Sequence, residues 1–202
     1  MTYQVYVLQA GYSKLVNDKY LANGTSTLIV GPKFKLIVDT LSPWDKDLLL
    51  ASLEKHKVTP DEITHLVCTH GHPDHVGNNN LFVGDGVTHI VGWSIHHMDC
   101  YSDHPFKDGA VLHIDENLEV MPTPGHTLDS VSVKVKTDIG TVIVTGDLFE
   151  KEEDLLDDNI WKEAGSEDSV LQLLNRNKVL DLADYIIPGH GPMFQVPKNR
   201  SI

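Results

Sequence analysis

Four side chains able to donate lone pairs to a cation stand within six positions: His70, His72, Asp74 and His75, in Thr69-His70-Gly71-His72-Pro73-Asp74-His75. Three imidazoles and a carboxylate this close would repel or desolvate one another in an ordinary core. A metal ion removes that cost by accepting their lone pairs, and zinc favours such nitrogen and oxygen donors. Three more candidates follow, each after a glycine at the end of an expected strand. They are His126 in Pro124-Gly125-His126-Thr127, Asp147 in Thr145-Gly146-Asp147, and His190 in Pro188-Gly189-His190. Glycine permits tight turns and close backbone approach, so such side chains can converge.

Seven donors are too many for one tetrahedral ion and suit two divalent ions sharing a carboxylate. The expected division gives His70, His72 and His126 to one ion and Asp74, His75 and His190 to the other, with Asp147 bridging. Paired cations clamp the attacking and leaving oxygens and lower the pKa of bound water from about 15.7 to about 7. At about 1.36 kcal/mol per unit, that is about 12 kcal/mol towards making hydroxide, enough to explain a hydrolase. Zinc is the expected metal, with iron a competitor because imidazole and carboxylate accept it too. Asp74 is the expected catalytic carboxylate, holding one metal and orienting the nucleophile. Asp39 ends a strand and is a candidate to hydrogen-bond a ligand histidine from behind; a cap or turn role is an equal alternative. His96 and His104 fall in an expected loop that could line a pocket, and His104 is the candidate proton donor to the leaving group. His56, His65, His89, His97 and His113 read as ordinary surface or core histidines.

The elements that must position these residues are mixed. Ile63-Thr64-His65-Leu66-Val67-Cys68 is an apolar run that reads as a buried strand leading into the cluster. Strands are expected at Ser26–Gly31, Lys35–Asp39, Val87–Gly92, Leu118–Met121, Asp129–Lys136, Thr141–Thr145 and Tyr185–Ile187. Asp138-Ile139-Gly140 makes a hairpin turn. Ser42 and Pro43 start a helix to about His56, Ser42 as cap and Pro43 at the first helical position. A short helix is expected near Val76–Asn80. A longer one, Ser166–Ala183, is capped by Ser166 and carries Val170, Leu173, Leu174 and Leu180 on one face. Loops at 10–24, 93–109 and 150–166 are expected to wall the pocket. The pattern is α/β, read as one domain over residues 1–202.

Composition narrows the function. A hydrophobic fraction of 41% fits a globular chain. No apolar stretch is long enough to cross a membrane. The start, Met1-Thr2-Tyr3-Gln4-Val5-Tyr6, shows neither a basic segment nor an apolar signal core. Cys68 and Cys100 suit a reducing compartment, so the expected location is intracellular, cytoplasmic or nuclear. A formal net charge of -13 argues against a long nucleic-acid grip, which usually needs a basic face.

The order His-x-His-x-Asp-His, then histidine, acid and histidine, resembles the metallo-β-lactamase superfamily. Here it is carried by His70, His72, Asp74, His75, His126, Asp147 and His190. The resemblance implies a four-layer αβ/βα sandwich with the metals at the edge between two sheets. The class B β-lactamases usually place cysteine where Asp147 stands, which turns the expectation away from antibiotic hydrolysis. Glyoxalase II enzymes add a C-terminal helical domain that grips glutathione, for which little chain follows His190. The family turn Val-Asp-Thr-Gly reads Val38-Asp39-Thr40-Leu41 here. Gly11-Tyr12-Ser13, Thr145-Gly146-Asp147-Leu148-Phe149-Glu150 and Ala183–Pro192 are similar to a small eukaryotic branch described as homodimeric endoribonucleases of histone pre-mRNA 3′ ends. That resemblance implies RNA phosphodiester cleavage. A glyoxalase II-like thioester or ester hydrolase is the alternative, and a non-catalytic metal-bound interaction domain a third reading.

Overall fold

Two sheets carry the chain in the computed structural model, which describes residues 2–198. The order is β1 (Gln4–Gln9), β2 (Tyr12–Val16), β3 (Lys19–Asn23), β4 (Ser26–Val30), β5 (Lys35–Val38), α1 (Lys46–Lys55), β6 (His65–Cys68), α2 (Pro73–Val76), β7 (Thr88–Val91), β8 (Ser94–His97) and β9 (Cys100–Ser102). It continues through β10 (Leu112–His113), β11 (Leu118–Pro122), β12 (Val131–Thr137), β13 (Gly140–Gly146), α3 (Asn159–Glu163), α4 (Ser169–Leu182), β14 (Tyr185–Pro188) and β15 (Phe194–Gln195). The first sheet has the order β1-β4-β5-β6-β7-β8-β9 and the second β10-β11-β12-β13-β14-β15. The hairpin β2–β3 stands outside both sheets.

Alternation along the strands builds the layers. Val67 of β6 faces the core between the sheets, while its neighbours Leu66 and Cys68 face α1. Val142 and Val144 of β13 likewise join the inner core, and Ile143 between them packs towards Val179 of α4. Strands buried on both faces read as continuous apolar runs. Leu49 and Leu53 close the outer face of the first sheet, fully buried. Burial of each stabilises by about 1.5–3 kcal/mol, and Leu53→Ala would cost about 2–5 kcal/mol. Three apolar clusters separated by two sheets give the four-layer αβ/βα sandwich.

Strand direction then places the chemistry. β5, β6 and β7 run parallel to one another, as do β13 and β14. β11 runs the same way as β13, because each pairs antiparallel with β12. The carboxyl ends of β5, β6, β11, β13 and β14 therefore open at one edge, where loops can hold functional groups on a rigid frame.

Several local readings are corrected. Residues 12–23 form the hairpin β2–β3 rather than a loop, and β8 and β9 occupy part of 93–109. The short helix lies earlier, at Pro73–Val76, with a 3-10 turn at Asn79–Leu81. Ser42 caps nothing: its backbone N–H and hydroxyl both donate to Asn23 Oδ1, at 3.2 and 3.0 Å, and Pro43–Asp45 is a 3-10 turn. Asp168, not Ser166, caps α4, accepting from the N–H groups of Val170 and Leu171. The expected apolar face of α4 is turned outward except at Leu180, which packs partly buried against the core. Val170, Leu173 and Leu174 are exposed, and Gln172, Arg176 and Val179 are buried. In the turn after β5, where the family glycine is replaced by Leu41, Asp39 and Leu41 adopt left-handed φ of 57° and 60°. Such left-handed conformations cost about 1–3 kcal/mol each for non-glycine residues and cluster at functional sites. No helix among the described residues is long and apolar enough to cross a membrane.

Candidate metal centre

All seven sequence-nominated donors meet at the open strand edge. His70 Nε2 lies 2.9 Å from His72 Nδ1, which lies 3.1 Å from His126 Nε2. Asp147 Oδ2 stands 3.4 Å from His126 Nε2 and 3.6 Å from His70 Nε2. Ligand atoms about 2.0–2.1 Å from a tetrahedral zinc must sit about 3.3 Å from one another, and these four distances bracket that value. A second group lies on the other side of Asp147. His75 Nε2 is 3.2 Å from Asp147 Oδ1, and His190 Nε2 is 3.2 Å from Oδ2. Asp74 Oδ2 is 3.9 Å from both of those ring nitrogens.

The rings are held from outside the cluster. Asp39 Oδ2 accepts from His75 Nδ1 at 2.8 Å and from the Thr69 hydroxyl at 2.9 Å, and Oδ1 accepts from the Thr69 N–H at 2.7 Å. The Thr69 oxygen, its proton committed to Asp39, accepts from His70 Nδ1 at 3.1 Å. His190 Nδ1 donates to the carbonyl of Asn23 at 3.0 Å. With Nδ1 protonated in all three rings, each Nε2 turns a lone pair inward, the arrangement that outer partners impose on metal-binding histidines. His75 Nε2 and Asp147 Oδ1 are buried and face each other at 3.2 Å without a formed hydrogen bond, and neither has another partner among the described residues. Each such group costs about 1–3 kcal/mol, and a cation between them relieves both. These histidine and aspartate clusters are able to bind metal ions.

Charge within the cluster is tightly opposed. Burial alone would lower His75 and His190, but Asp147, joined by Asp39 at His75, outweighs it. His75 is held well above the usual imidazole range, and His190 is pushed up to about 9. Burial, and then the neighbouring rings against the pull of Asp147, keep His70 well below that range; burial likewise lowers His126. Burial would raise Asp147, yet His75, His190 and His70 hold it well below the carboxylate range. Burial and then Asp147 push Glu150 up to about 8.

The backbone allows this crowding at two glycines. Gly146, at φ 53°, packs against the Thr69 side chain, and a Cβ on Gly189 would overlap Asp147 Oδ1. Behind the loop after β13, Gln172 Nε2 donates to the Asp147 carbonyl at 3.0 Å. Arg176 donates to the Leu148 carbonyl and pairs with Asp154, both partners buried.

Asp39 stands behind His75. His104 lies away from the cluster, its ring packed near Trp93 and Phe106 at centroid distances of 5.7 and 5.6 Å. His96 stacks on Tyr101. Neither lines the cavity of about 270 Å³ at the cluster, whose walls include Tyr20, His72, Asp74, Glu150 and Glu163. The expected walls at 10–24 and 150–166 are present there, and none comes from 93–109. An adjoining cavity of about 270 Å³ shares Tyr20, Glu150 and Glu163 and adds Lys14 and Lys151. Sequence reasoning missed Thr69, Asn23 and Glu150. Glu150, three residues after Asp147 in Gly-Asp-Leu-Phe-Glu, carried the only visible signal.

Residues 20–190 match the metallo-beta-lactamase superfamily. The chain belongs to that superfamily. It is 46% identical over 204 residues to metallo-beta-lactamase domain-containing protein 1 of Xenopus laevis, covering 99% of this chain and 84% of that one. The Homo sapiens protein of the same name is 35% identical over 234 residues, covering 98% and 84%. A solved structure of a putative metallo-beta-lactamase from Thermotoga maritima superposes with a TM-score of 0.72 at 21% identity, covering 96% of this chain and all of that one. The four-layer sandwich is thus the superfamily fold.

Proposed function

We propose that this metallo-β-lactamase superfamily member is a dinuclear metal-dependent hydrolase of RNA phosphodiesters. The observation that carries the hydrolase reading is the convergence of six donors around Asp147, the seventh, with outward-held tautomers and orphaned inward atoms. His70, His72 and His126 would hold one ion, and Asp74, His75 and His190 the other, with Asp147 shared. Two divalent ions, with zinc the first expectation, supply Lewis acidity and a water-derived nucleophile at neutral pH when bound. The chain's residues do the rest. The Asp74 carboxylate, on the cavity wall, orients the attacking water and takes up its proton. Tyr20, 67% exposed beside the cavity, offers a ring for a base to stack on. Lys14 and Lys151, in the adjoining cavity, sit where a flanking phosphate would be neutralised. The likeness over the whole chain to the eukaryotic relatives supports the hydrolase reading; the RNA branch rests on the motif resemblance in the sequence and on these cavity residues.

A thioester substrate is the second reading. The formal net charge of -13 favours it over a long polyanion, and a thiolate leaves without a strong acid. Single-stranded RNA and acyl-glutathione thioesters, assayed in parallel on one preparation, separate the two. RNA cleavage that survives ribonuclease-contaminant controls, disappears in Asp74→Ala and weakens in KM with Tyr20→Ala supports the first. Thioester turnover with inert RNA overturns it.

A further inference from the structure

We propose that Glu150 is an additional metal ligand, completing the position formed by Asp74, His75 and His190 and tuning it towards oxygen-preferring cations. The inference rests on the dinuclear reading above. Glu150 is 2% exposed and follows Asp147 by one turn of chain. Its Oε2 stands 3.8 Å from His190 Nε2. Ligand atoms of Asp147, Glu150 and His190 all lie within 4.8 Å of one another. The side chain lines the same cavity as Asp74 and His190.

A buried carboxylate needs a cation or a full set of hydrogen bonds, because desolvation otherwise costs several kcal/mol. Glu150 has neither. Its Oε1 is buried without a hydrogen-bond partner among the described residues. Among the described residues the one arginine, Arg176, is committed to Asp154 and to the Leu148 carbonyl. Protonating the group brings no donor to Oε1. A cation held with His190 would meet the carboxylate at Oε2 and neutralise it.

The consequence is asymmetry. The position at His70, His72 and His126 is built from imidazole, with Asp147 shared. The other would combine two imidazoles with carboxylates from Asp74, Asp147 and Glu150. Carboxylate-rich sites suit manganese and iron(II) better than nitrogen-rich ones do. A mixed pair of ions follows, with the harder ion on the Glu150 side.

The test is metal binding by the full chain, without turnover. Zinc(II) is titrated in competition with a chromophoric chelator, and manganese(II) by loss of the free-ion paramagnetic resonance signal. The proteins are wild type, Glu150→Gln and Glu150→Asp. Glutamine keeps the shape of a neutral acid and removes the charge. We expect wild type to hold two ions and Glu150→Gln to bind the weaker ion about tenfold or more less tightly, the scale at which even outer partners act. Manganese should suffer more than zinc, and Glu150→Asp should recover part of the loss. Unchanged affinities for both ions in Glu150→Gln overturn the proposal, whatever happens to the melting temperature of the metal-free protein. A wild type that never holds a second ion overturns the dinuclear reading and this one with it.

Discussion

Replacing Asp39 with asparagine tests whether the outer hydrogen bonds set the metal-binding form of the histidines. The carboxylate is 1% exposed and accepts three bonds, of 2.7, 2.8 and 2.9 Å. An amide can keep its oxygen towards the Thr69 N–H, a donor that must be met. Its NH₂ then replaces Oδ2 and faces His75 Nδ1. Two N–H groups cannot share that line, so the His75 proton moves to Nε2 and its inward lone pair is lost. Losing one outer partner of a metal-binding histidine typically weakens affinity 10–100-fold, or about 1.4–2.7 kcal/mol. The fold should suffer less. Charge-assisted bonds become neutral ones, a loss of about 1 kcal/mol each, partly offset because no charge is buried. Chelator-competition titration gives the ion affinities, and urea unfolding of metal-free protein gives the stability. The reasoning predicts the larger loss on the His75 side and a smaller one at His70, whose partner Thr69 also loses its carboxylate acceptor. Equal affinities in wild type and Asp39→Asn, with stability alone reduced, would refute it.

Three further outcomes follow. In metal-stripped protein, the folded pKa of His190, about 9, lies above its unfolded value of about 6.5. Its contribution is therefore complete below about pH 6.5 and lost as pH rises through 9. Glu150, raised to about 8, acts in the same direction from about 4.5 upward. Thermal melts in chelator should fall steadily from pH 6.5 to 9.5, and a flat or rising profile would contradict the assigned charges. Gly189→Ala should leave a folded protein with reduced metal content by elemental analysis, because the new methyl displaces Asp147 Oδ1. Arg176→Ala strands Asp154, which is fully buried, and should cost about 3–5 kcal/mol in urea unfolding; replacement by methionine should cost less than alanine.

The metal donors were legible in the sequence because their identity is chemical and their spacing is local. His70, His72, Asp74 and His75 fall within six positions, and the remaining three follow glycines at strand ends. The inner strands were legible because β6, β13 and β14 are apolar runs whose alternation has nowhere to go but into two cores. The hairpin β2–β3 was not. Tyr12, Leu15, Val16, Tyr20 and Leu21 point into solvent there, so no buried face disciplines the pattern. The left-handed turn at Asp39 and Leu41 was hidden for a different reason. Its strain is held by tertiary contacts, including the N–H of Gly77 donating to the Leu41 carbonyl at 2.9 Å, and no local residue preference announces it.

The inverted face of α4 shows how a site can override periodicity. Val170, Leu173 and Leu174 form the stripe that helical spacing assigns to the core, yet they are exposed. The buried positions go instead to Gln172 and Arg176. Both spend their donors on backbone carbonyls of the segment carrying Asp147, at Asp147, Leu148 and Asp154. That segment leaves β13 irregularly, so its carbonyls have no strand partner, and buried carbonyls must be met. An apolar side chain at either position would leave them unmet at about 1–3 kcal/mol each, comparable with the gain from burying a leucine. Fixing the loop also fixes Asp147, whose two oxygens address both donor groups. The requirement of the site thus reaches through one loop to choose which side of a helix faces inward, and leaves an apolar stripe on the surface as its consequence.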